Sequence, residues 1–170
     1  MDNVTCNGVK AIRECSDVVI TNSKFVSPEL GWNVNRFKVD NSYVEGPYAF
    51  FGCKNVEIDR LDFKGKYSFQ YVKNLKITNS YLNTKDAFWH TKNAVIENCK
   101  LIGEYIAWYS ENLTFINCKI KGTQPFCYAK GLKLINCELI DCDLSFENTE
   151  VNGDIKCTNV SIKNPLKGVI

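Results

Sequence analysis

Apolar residues return along this chain every 19 positions. One such column reads Ile20, Val39, Ile58, Ile77, Ile96, Phe115, Leu134, and a second reads Phe25, Val44, Phe63, Leu82, Leu101, Ile120, Leu139, with no gap between repeats. Between them runs a polar column, Asn3, Asn22, Asn41, Arg60, Asn79, Asn98, Asn117, Asn136. Within each repeat, stretches such as NLKITNSYL (74–82) and NLTFINCKI (112–120) alternate apolar with polar residues, the period of a strand with one buried face. Two further columns hold turn residues. One contains Gly8, Gly46, Gly65, Gly103 and Gly122; the other contains Asp17, Asn55, Asn74, Asn93, Asn112 and then Gly131. Asn giving way to Gly marks a backbone position at positive φ, which those two residues tolerate best.

A unit of 19 residues cannot bury its own apolar face, whereas stacked units share one core. The pattern therefore predicts an all-β fold, a right-handed parallel β-helix: a single-stranded solenoid of about eight 19-residue coils. The hand follows from the right-handed preference of parallel crossovers and from a period that does not divide into hexapeptides. The Asn column is expected to form an amide ladder at a buried turn, interrupted at Arg60. The coils span residues 1–141, the first of them incomplete. After Asp141 the register fails, so residues 142–170 read as a C-terminal capping segment of the same domain. Unpaired strand edges in the open N-terminal coil, at Asn3–Cys6, predict self-association there.

The segment after the glycine column carries the rings: PYAFFGCKN, KYSFQYVKN, KDAFWHTKN, EYIAWYSEN, TQPFCYAKG. Read as a strand with strict alternation, it turns Trp32, Phe51, Trp89 and Trp108 inward. The same parity turns Tyr48, Tyr67, Tyr105, Phe50, Phe69, Phe88, Phe126 and the Tyr71, His90, Tyr109, Tyr128 column outward. An exposed aromatic strip of that length suits a ligand, with carbohydrate favoured and a protein partner as the alternative. The expected ligand-binding residues are Tyr48, Tyr67, Phe69, Tyr71, Phe88, His90, Tyr105, Tyr109 and Tyr128.

Composition narrows the function classes. A chain of 170 residues with 45% hydrophobic and 24% charged content reads as one globular domain. A net charge of +2 with no basic block argues against nucleic acid, and no apolar run approaches the roughly 18 residues of a membrane span. The start MDNVTCNGVKAI lacks a signal-peptide core, so nine cysteines read as free thiols in the cytoplasm rather than as a disulfide framework.

The runs GKYSFQYVKNLKITNSYLNTKDAFWHTKN, WYSENLTFINCKI and KGLKLINCEL resemble an uncharacterised bacterial family of pectin-lyase-like β-helix proteins, known only as a domain of unknown function. The resemblance covers essentially the whole chain. It implies a β-helix, further coils preceding the point where this chain begins, and no catalytic residues to carry over. By fold-level analogy it favours a carbohydrate ligand.

An enzyme of this fold, a polysaccharide lyase or glycoside hydrolase, requires clustered carboxylates. The candidates are Asp40 and Asp59, one coil apart, with Glu57 beside them and Lys38, Lys76 and Arg60 interleaved. His90, the only histidine, lies four residues after Asp86, about 13 Å along a strand and too far for a dyad, and it shares a column with tyrosines. Cys99, Cys118 and Cys137 share a column with Ser23, Ser42 and Ser80, which reads as a stack of small core side chains rather than a metal site. No metal or other cofactor is expected. The sequence thus predicts a non-catalytic binding module.

Overall fold

A computed structural model describes residues 1–170 and contains a parallel β-solenoid of 14 strands with no helix. Each coil has one strand before the Asn column, as in Lys73–Thr78, Lys92–Glu97 and Glu111–Ile116, and a shorter one after it, as in Tyr81–Lys85, Lys100–Ile102 and Lys119–Lys121. In Asn35–Glu45, Lys54–Lys66 and Leu132–Ser145 one strand runs through that corner without a break. Successive coils pair in register 19 residues apart, so Val39 lies beside Ile58, Ile58 beside Ile77 and Ile77 beside Ile96. Both apolar columns are buried from Ile20 and Phe25 onward, and Cys99, Cys118 and Cys137 form the buried inward stack expected of them.

The Asn ladder is present, but it faces water. Asn41 donates its side-chain amide to Asn22 Oδ1 at 2.7 Å, and Asn136 donates to Asn117 Oδ1 at 2.8 Å, all four residues being exposed. The reason is local. Every member of the column from Asn3 to Asn136 has positive φ, and that corner turns the side chain out of the core. Arg60 interrupts the ladder as expected, and the preceding residue repairs it: Asp59 Oδ1 accepts Asn79 Nδ2 at 2.7 Å. Asp2 does the same for Asn22 at 2.9 Å, and Asp141 for Asn159 at 3.0 Å.

The segment between the second strand and the next coil departs from the expected parity. It is a run of turns, not a strand, and every second residue has positive φ: Tyr48, Phe50 and Gly52; Tyr67, Phe69 and Tyr71; Asp86, Phe88 and His90; Tyr105, Ala107 and Tyr109; Gln124, Phe126 and Tyr128. Strict in-out alternation belongs to an extended chain. Here the left-handed residues turn their side chains relative to their neighbours, so Ala49 and Phe50 are both buried. Phe50, Phe69, Phe88 and Phe126, placed outward by parity, are each 0% exposed and line the core. Trp32, Phe51, Trp89 and Trp108, placed inward, are half-buried at the surface.

The Phe column also fills its own gaps. Phe50 stacks on Phe69 at 4.9 Å and Phe69 on Phe88 at 5.1 Å between ring centroids. Where the column has Gly31, the ring of Phe37 occupies the place of the missing side chain. Where it has Ala107, Phe115 packs edge-on against both Phe88 and Phe126.

Residues 142–170, expected as a cap, are a further turn of the same solenoid. Leu132 pairs with Val151 at a spacing of 19, Cys137 with Ile155 at 18 and Ser145 with Ile162 at 17, and Lys167–Val169 adds a strand beyond. The shortened spacing, taken up at two register shifts, is why a fixed 19-residue column loses the chain after Asp141.

Candidate functional site

The outward column is a continuous ladder of rings. Tyr71 stacks on His90 at 4.8 Å and 17°, His90 on Tyr109 at 5.3 Å and 12°, and Tyr109 on Tyr128 at 4.8 Å and 8°. The spacing is that of parallel strands, because one coil contributes one ring. Tyr71 and Tyr109 are 50% and 44% exposed. Since each ring lies against its neighbour, the ladder presents ring edges and phenol hydroxyls to water, and few ring faces.

A second column lies beside it. Trp89 and Trp108 stack at 5.4 Å and 5°, and Trp108 meets Tyr105, Tyr109 and Tyr128 edge to face. The indole N–H groups are used internally: Trp32 donates to Tyr48 O at 2.7 Å, Trp89 to Tyr105 O at 2.8 Å and Trp108 to Gln124 O at 2.7 Å. Gln70, in the same column, donates its amide to Asp86 O at 3.0 Å. These side chains bridge one coil to the backbone of the next, which explains a column that accepts Trp and Gln alike.

Of the residues expected to bind ligand, Tyr71, His90, Tyr109 and Tyr128 form the ladder, and Tyr105 joins it through Trp108. Tyr48 and Tyr67 stack on each other at 4.8 Å, two coils or more toward the N-terminus from Tyr105. Phe69 and Phe88 are withdrawn from the surface altogether and touch no ligand there, for the backbone reason given above. Trp89 and Trp108, assigned to the interior by parity, belong to this surface. Their column contains Gln70 whereas the Phe column has no polar member, and that difference in composition was the available signal.

The run Asp86–Asn93 is not an acid-base pair. His90 is sandwiched between Tyr71 and Tyr109, and no hydrogen bond or ion pair joins it to Asp86. Asp86 is only 7% exposed. Burial raises its carboxyl above the ordinary value, Lys85 pulls it back, Glu104 adds to the rise and Lys66 opposes it. A carboxyl whose folded value is raised favours the native state below the unfolded value and loses that advantage as pH rises through the folded one. Asp86→Asn is therefore expected to melt at a higher temperature than the parent at pH 7, with the difference vanishing toward pH 3; thermal scans across that range check it.

The carboxylate cluster offers no free acid. Arg60 reaches both coils, with Nη1 on Asp59 Oδ2 at 2.5 Å and Nη2 on Asp40 Oδ2 at 2.6 Å. Asp40 Oδ1, shielded from water, makes no well-aligned hydrogen bond but lies 2.5 Å from the same guanidinium. Asp59 also accepts Thr78 Oγ1 at 2.6 Å; that bond above all, with Asn79 and Arg60, holds its carboxyl below the ordinary range. Glu57 is paired with Lys38 at 3.0 Å. A general acid needs the opposite shift, a raised value. Asp40, Glu57 and Asp59 line a shallow groove of about 270 Å³ with Lys38, Lys76 and Thr78, and each of the three carboxylates has a cationic partner.

The six buried cysteines are packing groups. Cys118 Sγ lies 3.3 Å from both Ile96 O and Ile116 O, and Cys137 Sγ lies 3.4 Å from Phe115 O. Burial pushes the Cys53 thiol up to about 12 and that of Cys127 up to about 11, so neither is a thiolate at neutral pH. No three acidic, histidine or cysteine side chains converge as metal ligands.

The model of one protein family, described as "Protein of unknown function (DUF3737)", matches residues 1–170. A search of curated proteins finds no match.

Proposed function

We propose that this chain, which belongs to the DUF3737 family along its whole length, is a non-catalytic binding module that engages a carbohydrate chain on its aromatic ladder. The observation that carries this reading is the run of coaxial rings from Tyr71 to Tyr128, continuous with Trp89 and Trp108 and left open to water. Contiguous apolar surface of this kind marks interaction sites on soluble proteins. Its chemistry is amphipathic. Apolar ring edges lie beside phenol hydroxyls on three of the four rungs, a row suited to a polymer whose own hydroxyls repeat along its length. Kinship with pectin-lyase-like proteins belongs to the same reading, as does a cytoplasmic location, which suits nine unpaired thiols. The paired charges around Asp40, Asp59 and Glu57 give no support to a lyase or hydrolase.

A protein ligand is the second reading. It is favoured by the edge-on presentation of the tyrosines, because Tyr-rich edges and hydroxyls are common in protein interfaces. Titration with hexamers of β-1,4-linked glucose, β-1,4-linked xylose and α-1,4-linked glucose tests the first reading. Saturable binding of one of them is expected, weakened about tenfold by Tyr109→Ala, or ~1.4 kcal/mol, and unchanged by His90→Tyr, which keeps the ring. New reducing ends would make the protein an enzyme. Absence of binding to all three, with a protein retained by the parent and lost on Tyr109→Ala, would favour the second reading.

A further inference from the structure

The ladder has one missing rung. Below Tyr71 its column holds Gly52, and below that Asn33. His90 covers one face of Tyr71, and the other face looks toward a coil whose own rung is a glycine. At its upper end the ladder differs, because Tyr128 donates its backbone N–H to Glu147 O at 2.7 Å, which sets Asn148, a residue with a side chain, on the rung above.

Other ring faces near this surface are taken. Arg13 lies over Trp32 at 4.6 Å and Phe51 stacks on that ring at 4.9 Å. Lys66 lies over Tyr67 at 5.4 Å and Lys85 over Tyr105 at 5.7 Å. Phe51 meets Tyr71 at 5.3 Å but tilted by 55°, so it is not stacked on that ring as His90 is.

The interior shows what the fold does with a missing ring when the space has no use. Gly31 and Ala107 interrupt the Phe column, and Phe37 and Phe115 move in. At Gly52 no ring moves in; only the small carboxamide of Asn33 does. The nearest group is the carboxamide of Asn33, which reaches the point a Cβ on Gly52 would occupy. Asn33 is exposed and is held to the next coil through its backbone N–H, bonded to Phe51 O at 2.9 Å, which leaves its amide free.

We propose that this ringless rung, bounded by the free face of Tyr71 and the amide of Asn33, is a subsite for one pyranose ring. The inference rests on the carbohydrate reading above and deepens it by naming where a sugar stacks. One coil of the ladder rises by the thickness of one stacked ring, so a single missing side chain leaves room for a single ring. A pyranose has an apolar C–H face to set against Tyr71 and a rim of hydroxyls for the Asn33 amide and for water. An aromatic side chain from a protein partner would satisfy Tyr71 and leave Asn33 unpaired.

The column itself supplies the test. Tyr71, Tyr109 and Tyr128 hold the same backbone conformation as Gly52, with φ of 58°, 55° and 59° against 66°. Gly52→Tyr therefore extends the ladder by one ring, displacing only the flexible end of Asn33. Isothermal titration with the three glycan hexamers is expected to show at least a tenfold loss of affinity for Gly52→Tyr, with an unfolding midpoint no lower than that of the parent, and a severalfold loss for Asn33→Ala. If Gly52→Tyr and Asn33→Ala both bind as the parent does while Tyr109→Ala binds worse, the subsite is wrong and the ladder reading stands. If the parent binds none of the hexamers, both fall. Should Gly52→Tyr fold poorly, the exposed Asn33→Ala decides alone: unchanged affinity overturns the subsite.

Discussion

Phe88→Ala is expected to be among the most damaging single substitutions in this protein, costing about 3–5 kcal/mol. The ring is fully buried, stacked on Phe69 at 5.1 Å and 11°, and met edge-on by Phe115. Above it in the column stands Ala107, which Phe115 already compensates, so no further large side chain is free to collapse into the hole. The loss is therefore the transfer energy of the ring plus a cavity that persists. Tyr109→Ala, two residues past the Ala107 rung, is the comparison. Its ring is stacked on both sides yet 44% exposed, and truncation should cost no more than about 1.5 kcal/mol. Urea unfolding followed by far-ultraviolet circular dichroism measures both. A mild Phe88→Ala beside a severe Tyr109→Ala would mean that the ring segment has the opposite facing.

That contrast also marks the boundary of what the sequence discloses. The 19-residue period, the parallel stacking, both apolar columns and the cysteine stack are legible because each rests on one physical rule: in-register coils place like beside like. The facing of Phe69 and Phe88 is not legible by parity, since parity presumes an extended backbone and the ring segment has a left-handed residue at every second position. Column composition carried the better signal. Phe50, Phe69, Phe88 and Phe126 never exchange for a polar residue, whereas Trp32, Phe51, Gln70, Trp89 and Trp108 do, and the polar atoms in that column bond to the neighbouring coil's carbonyls. The last turn escaped for a different reason. A spacing that slips from 19 to 17 leaves every strand intact and every column broken.

The candidate site was half visible. Tyr71, His90, Tyr109 and Tyr128 share a column and a face, and the sequence shows as much. What it conceals is the direction of the ring planes. Stacked at 4.8–5.3 Å along the rod, the rings spend their faces on one another and leave edges for a ligand, so a missing ring says more about binding than a present one. Asp40, Asp59 and Glu57 show the same limit in electrostatics. The three carboxylates do cluster, but Arg60 reaches both aspartates from a corner whose positive φ sends its side chain outward, and Lys38 takes the glutamate.

Gly122→Ala should be as costly as the loss of a core ring, by about 3–5 kcal/mol, although it adds only a methyl group. Gly122 follows the strand Lys119–Lys121 at φ 138°, a conformation that side chains rarely adopt, and a Cβ there would overlap the carbonyl of Gly103 in the preceding coil. That obstacle is backbone. Relief requires the two coils to part at the corner, where Gly103 N bonds to Lys121 O at 2.9 Å, so strain and a lost ladder bond come together. Gly8 occupies the same 19-residue column and looks identical in sequence, yet a Cβ on it would meet nothing within 4 Å. Gly8→Ala should change stability by no more than about 0.5 kcal/mol. Urea midpoints for the two variants separate the explanations. A large loss for Gly122→Ala alone assigns the cost to close approach between coils, whereas equal losses would assign it to the column as such and would count against the tight corner at Gly103 and Gly122.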